Sequence, residues 1–147
     1  MAKTVNAAFD YFMANYVNLD KEEVSSAKSS RSWLVDQIQG FDGNVSEFPV
    51  LYSDMDIFFG SFERKTKKRE LDDIDMIITL SAQGSSYLEL SDKVEITVSE
   101  SATHLKKYLH DYTNKINSKK IINKFISALS NVPQYEKSDR LLNESRG

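Results

Sequence analysis

Asp56-Ile57-Phe58-Phe59-Gly60-Ser61 at residues 56–61 and Asp73-Ile74-Asp75-Met76 at residues 73–76 decide how this chain is read. Alone, each segment is weak, because Gly-Ser is a common turn and Asp-x-Asp arises by chance. Together they have a mechanical logic. Residues 56–60 read as a short buried strand that runs into Gly60, where the missing Cβ lets backbone approach a ligand closely. Ser61 then opens a helix or turn, and its N–H and hydroxyl can hold phosphate oxygens. Eleven residues separate Ser61 from Asp73. Asp73 and Asp75 are two apart on a strand, so both side chains project from one face while Ile74 and Met76 turn to the core. Carboxylates on one face repel unless they share cations, and Mg²⁺ (or Mn²⁺) takes carboxylate and phosphate oxygens. The geometry requires strands 56–60 and 73–80 to pair.

Outward from this pair, the pattern alternates helical and extended periods. Val5, Ala8, Phe9, Phe12, Met13, Tyr16 and Val17 recur at helical spacing and predict a core-facing helix over 3–17. A second helix over 20–39 starts at Asp20, with Glu23 three residues later as in a capping box. Val24, Ala27, Arg31, Leu34 and Ile38 continue its stripe, and Gly40 stops it. Residues 41–53 fit a short helix or a loop, and residues 83–86 a turn. Val94, Ile96 and Val98 alternate with polar residues as a half-buried strand. Thr103 or Ser101 can cap a helical segment carrying Leu105, Tyr108, Leu109 and Tyr112. A last helix over 118–131 carries Ile121, Ile122, Phe125, Ile126 and Leu129, and ends before Pro133. Residues 132–147 read as a polar tail. The fold class is α+β: a small, mostly antiparallel sheet of 56–60, 73–80 and 93–98 packed by helices 3–17, 20–39 and 118–131. No repeat or linker breaks the chain, so 1–147 reads as one domain.

Composition narrows the function classes. The chain has 147 residues, 40% of them hydrophobic, enough to build a core. Its lack of Cys excludes a disulfide scaffold, a thiolate metal site and a Cys nucleophile. With 19 basic against 22 acidic residues, the net charge of −3 argues against a nucleic-acid partner. The run Arg64, Lys65, Lys67, Lys68 and Arg69 reads first as a solvated loop, with Arg64 and Thr66 closest to the phosphate motif. No apolar run spans a membrane and no leader is evident, so the expected location is the cytoplasm. His104 and His110 lack partners at metal-ligand spacing.

Apolar–Gly–Ser followed by Asp–apolar–Asp–apolar resembles the nucleotidyltransferase superfamily related to DNA polymerase β. The stretch FGSFERKTKKRELDDIDMIITLSAQGSSYLE is similar to the bacterial cGAS/DncV-like nucleotidyltransferases, the CD-NTases. Phe62 after Gly60-Ser61, Thr66, the Asp-Ile-Asp triplet, the VEITV strand and the helix KKIINKFISALSNVPQYEKS all carry the likeness. The resemblance implies a nucleotidyltransferase palm and metal-dependent synthesis of cyclic di- or oligonucleotide messengers from NTPs, usually in antiphage defence. It implies that Gly60 and Ser61 contact the triphosphate, with Arg64 and Thr66 nearby, and that Asp73 and Asp75 ligate metal as the catalytic carboxylates.

The family places a third carboxylate on a strand after the long helix, and Gly147 is reached without one. The expectation is therefore the N-terminal part of a longer enzyme, with self-association through an exposed edge after residue 131. The alternative is an incomplete, non-catalytic palm that acts as a fragment or partner-dependent subunit. Glu95 stands as a candidate substitute third ligand, against the plainer reading of a solvent-facing strand residue.

Overall fold

The computed structural model describes residues 4–64 and 74–134. The chain forms two compact units, one from Met1–Asp36 and Asp54–Ile78, the other from Gln37–Ser53 and Thr79–Gly147. It is a mixed α+β fold, with two two-stranded antiparallel sheets among the described residues.

In the first unit, helix α1 (Val5–Phe12) is capped by Thr4, whose hydroxyl accepts the Ala7 N–H at 3.1 Å. A π-helical turn, Met13–Val17, continues it and is closed by the Asn18 N–H on Met13 O. The expected core contact of this helix is not made. Val5 is 84% exposed, Phe9 61% and Phe12 51%. Its neighbours are chiefly the turn that follows, where Phe12 and Tyr16 stack at 5.9 Å. Periodicity identifies an apolar face and says nothing of what covers it.

Helix α2 (Lys21–Gln39) starts where the capping residue predicts: Asp20 Oδ1 accepts the N–H groups of Glu22 at 2.8 Å and Glu23 at 3.3 Å. That satisfies two of the donors a helix leaves unpaired at its first turn. Strand β1 (Ile57–Phe59) pairs antiparallel with β2 (Asp75–Ile77) in the register Ile57–Ile77, Phe58–Met76, Phe59–Asp75. The pairing required by the motif is present. The expected burial of β1 is not: all three of its residues are exposed. A two-stranded ribbon has too little adjoining structure to bury both faces.

In the second unit, α3 (Phe41–Asn44) leads to Phe48, the most buried large side chain at 1% exposure. Its ring lies edge-on between Phe41 at 5.3 Å and Phe125 at 4.8 Å. Strands β3 (Ser86–Glu89) and β4 (Val94–Thr97) form a hairpin. The predicted strand at 93–98 therefore belongs to a separate sheet, paired with a segment that the turn residues at 83–86 had obscured.

Past β4 the chain folds back on itself. The Ile116 N–H donates to Ile96 O, the Val98 N–H donates to Asn114 O, and Leu109 bridges to Ile116. This replaces the helix expected after Thr103 with one 3₁₀ turn, Leu105–Tyr108. Tyr112, at φ 62°, breaks any continuation. Val98, Ala102 and Leu105 form a small core with Leu109 and Ile116 against it. Helix α5 (Ser118–Leu129) is capped by the Asn117 side chain, matching its predicted start.

Candidate functional site

Gly60 sits where β1 ends and a single helical turn, α4 (Gly60–Glu63), begins. Its φ is +79°, in the left-handed region that L side chains rarely adopt. It is buried, and the side chain across from it is Asp75. A Cβ on Gly60 would lie 1.9 Å from Asp75 Oδ2 and 2.7 Å from its Cγ. The carboxylate therefore lies against the bare α-carbon, in space that exists because residue 60 has no side chain. The strand register explains the approach: Asp75 stands opposite Phe59, one residue before the turn.

The sequence motif thus folds into one place for three of its residues. Gly60, Ser61 and Asp75 are joined by the β1–α4 turn and its antiparallel partner. Ser61 is half-buried. Arg64 follows at the end of α4, exposed, its N–H donating to Gly60 O at 3.3 Å. Asp73 and Thr66 lie outside the described residues, as do Lys65, Lys67, Lys68 and Arg69. Among the described residues, no group of three or more His, Asp and Glu gathers as a metal cluster.

Glu95 is engaged elsewhere. Its carboxylate pairs with Lys115 on one oxygen and with Lys93, at 2.8 Å, on the other. The hydrogen bond from Lys115 first, then the one from Lys93, pulls its pKa from the ordinary 4.5 down to about 2. Two lysines neutralise the charge a cation would need, so Glu95 is a paired strand residue. His104 Nδ1 lies 3.1 Å from Phe48 O, and Tyr108 donates its hydroxyl to Glu47 O at 2.5 Å. Both side chains hold the loop before the Phe48 core.

Sequence reading passed over Arg31. It occupies a position in the otherwise apolar stripe of α2, yet it is a cation with only 15% of its side chain exposed. Its guanidinium pairs with Glu63 Oε2 at 2.6 Å, lies 4.4 Å over the Phe58 ring and 5.9 Å from that of Phe62. A charge among apolar stripe positions was the available signal.

No protein-family model matches the chain. No solved structure matches it either. It is 41% identical over 140 residues to a probable cyclic nucleotide synthase of Bacillus cereus (strain VD146). The match covers 95% of this chain and 42% of that protein, so the chain spans less than half the length of this curated relative. The likeness runs through nearly the whole of this chain.

Proposed function

We propose that this chain is the nucleotide-binding palm of a metal-dependent nucleotidyltransferase that works as a cyclic nucleotide synthase. The observation that carries the reading is the Asp75 carboxylate lying against the Gly60 α-carbon at the end of β1. A carboxylate held beside a Gly-Ser turn brings anionic oxygens and N–H donors into one small space. The similarity to a probable cyclic nucleotide synthase supports the same direction.

The donor set fits the cation. Carboxylate oxygens are hard ligands suited to Mg²⁺ or Mn²⁺. Asp75, with Asp73, would hold the ion, which when bound draws carboxylate and phosphate oxygens together and offsets charge at a transferring phosphoryl group. The rest is done by the chain. Gly60 leaves room for the carboxylate against the turn. Ser61 offers an N–H and a hydroxyl on the same turn. Arg64 and Thr66 add a cation and a hydroxyl downstream for the triphosphate of an NTP. The cyclic di- or oligonucleotide product, the antiphage role and the cytoplasmic location complete the proposal. They rest on the family resemblance.

Calorimetric titration of the chain with ATP and Mg²⁺ tests it. Binding that needs Mg²⁺ is expected. It should weaken at least tenfold when Asp73 and Asp75 are both replaced by Asn, which removes charge and keeps shape. Equal affinity in the double variant, with an unchanged circular dichroism spectrum, would overturn the metal role.

A further inference from the structure

We infer that Arg31 is a positioning residue for the Gly60–Ser61 turn, acting on phosphate binding from behind it; this rests on the nucleotide-binding reading above. The argument starts from the residues it touches. Phe58 is two positions before Gly60, and Phe62 and Glu63 are two and three positions after it. One guanidinium reaches all three, by stacking over Phe58, by approach to Phe62 and by the 2.6 Å ion pair to Glu63. It therefore brackets the turn on both sides.

The direction of the contact is equally informative. Side chains alternate across a strand, so Phe58 and its cross-strand partner Met76 share one face of the β1–β2 ribbon, while Phe59 and Asp75 share the other. Arg31 holds the face away from the carboxylate and competes for nothing at the site. It fixes the backbone whose N–H groups would meet phosphate.

Such a turn needs a fixed support. Gly60 has the largest conformational freedom of any residue type, and both strands of the ribbon are three residues long. A planar guanidinium, which stacks and pairs at once, supplies what a Lys ammonium cannot. Preorganised donors are worth most when they do not have to reorganise as charge arrives.

Three variants of the full chain test this: Arg31→Met, Arg31→Lys and, on the same helix, Val35→Ala. Val35 is buried one helical turn beyond Arg31 and carries no charge, so its truncation lowers stability while leaving the guanidinium and its ion pair in place. The readouts are Mg²⁺-ATP affinity by calorimetry and amide hydrogen exchange over residues 57–64.

Arg31→Met is expected to weaken Mg²⁺-ATP about tenfold and to speed exchange in 57–64 about tenfold, with exchange in β3 and β4 unchanged. Arg31→Lys should recover part of both. Val35→Ala should leave affinity within twofold at similar or greater loss of stability. Should the Met variant fail to fold, Arg31→Lys and Glu63→Gln carry the same comparison. Binding by Arg31→Met equal to the parent's overturns the inference and leaves the nucleotide-binding reading standing. An affinity loss in Val35→Ala as large as in the Arg31 variants overturns it too. A parent chain that binds no Mg²⁺-ATP overturns both readings.

Discussion

Gly60→Ala is the sharpest single perturbation of this chain, because two independent penalties fall on one methyl group. The first is conformational. At φ +79° an L residue pays for crowding between its Cβ and the backbone, about 1–2 kcal/mol. The second is steric. The new Cβ would stand 1.9 Å from Asp75 Oδ2 and 3.0 Å from Asp75 Cβ, so the carboxylate must leave its place. Forcing a packed group aside costs about 1–3 kcal/mol. The sum is about 2–5 kcal/mol, a large fraction of the 5–15 kcal/mol typical of a whole domain. Urea unfolding followed by the fluorescence of Trp33, the chain's one Trp and part of the same unit, reads the loss. Gly43→Ala is the control, since a Cβ there meets nothing within 4 Å and its φ is ordinary; circular dichroism should show it neutral or slightly stabilised. A cycle with Asp75→Ala separates the two penalties. Removing the carboxylate should restore the steric share and leave the conformational share, giving a coupling of about 1–3 kcal/mol. A Gly60→Ala variant within about 0.5 kcal/mol of the parent, the range of a neutral surface change, would refute the close approach of Asp75 to this turn.

Two further outcomes follow from the second unit. Glu95, with its pKa depressed to about 2, contributes stability that is present above the ordinary carboxylate range and is lost as pH falls from 4.5 toward 2. A carbon-detected NMR titration should place its midpoint near 2, and Lys115→Met should move it back up; an ordinary midpoint in the parent would show the double ion pair does not persist in solution. Phe48→Ala empties the space between Phe41 and Phe125 and should cost about 3–5 kcal/mol in urea unfolding; a loss under 1 kcal/mol would mean that this aromatic cluster does not hold the unit together.

The sequence and the structure agree where chemistry is local and part where it depends on neighbours. Asp20 was legible as a helix cap because a cap is settled by residues within three positions. The pairing of 57–59 with 75–77 was legible because a Gly-Ser turn beside an Asp strand makes sense only with the two together. The exposure of Phe9 and Phe12 was not legible, since an apolar stripe declares a demand for burial without naming what meets it. Nor was the separate sheet of β3 and β4. Ser86-Tyr87-Leu88-Glu89 follows a turn so closely that the turn signal swallowed the strand.

Arg31 shows how such a miss can be turned to use. Helical periodicity assigned it to the buried stripe of α2 with Val24, Ala27, Leu34 and Ile38, and on position alone that was right, for its side chain is mostly covered. What the period could not supply is the reason a cation is tolerated there. Burying an unpaired charge is costly enough that native chains pair it. A lone Arg in an apolar stripe therefore demands a carboxylate from another segment and flat apolar surface for its stem and plane. Glu63, Phe58 and Phe62 meet that demand, and all three lie within three residues of Gly60. The odd residue in one pattern thus points to the motif in another, and it ties the stability of α2 to the shape of the turn that would receive phosphate.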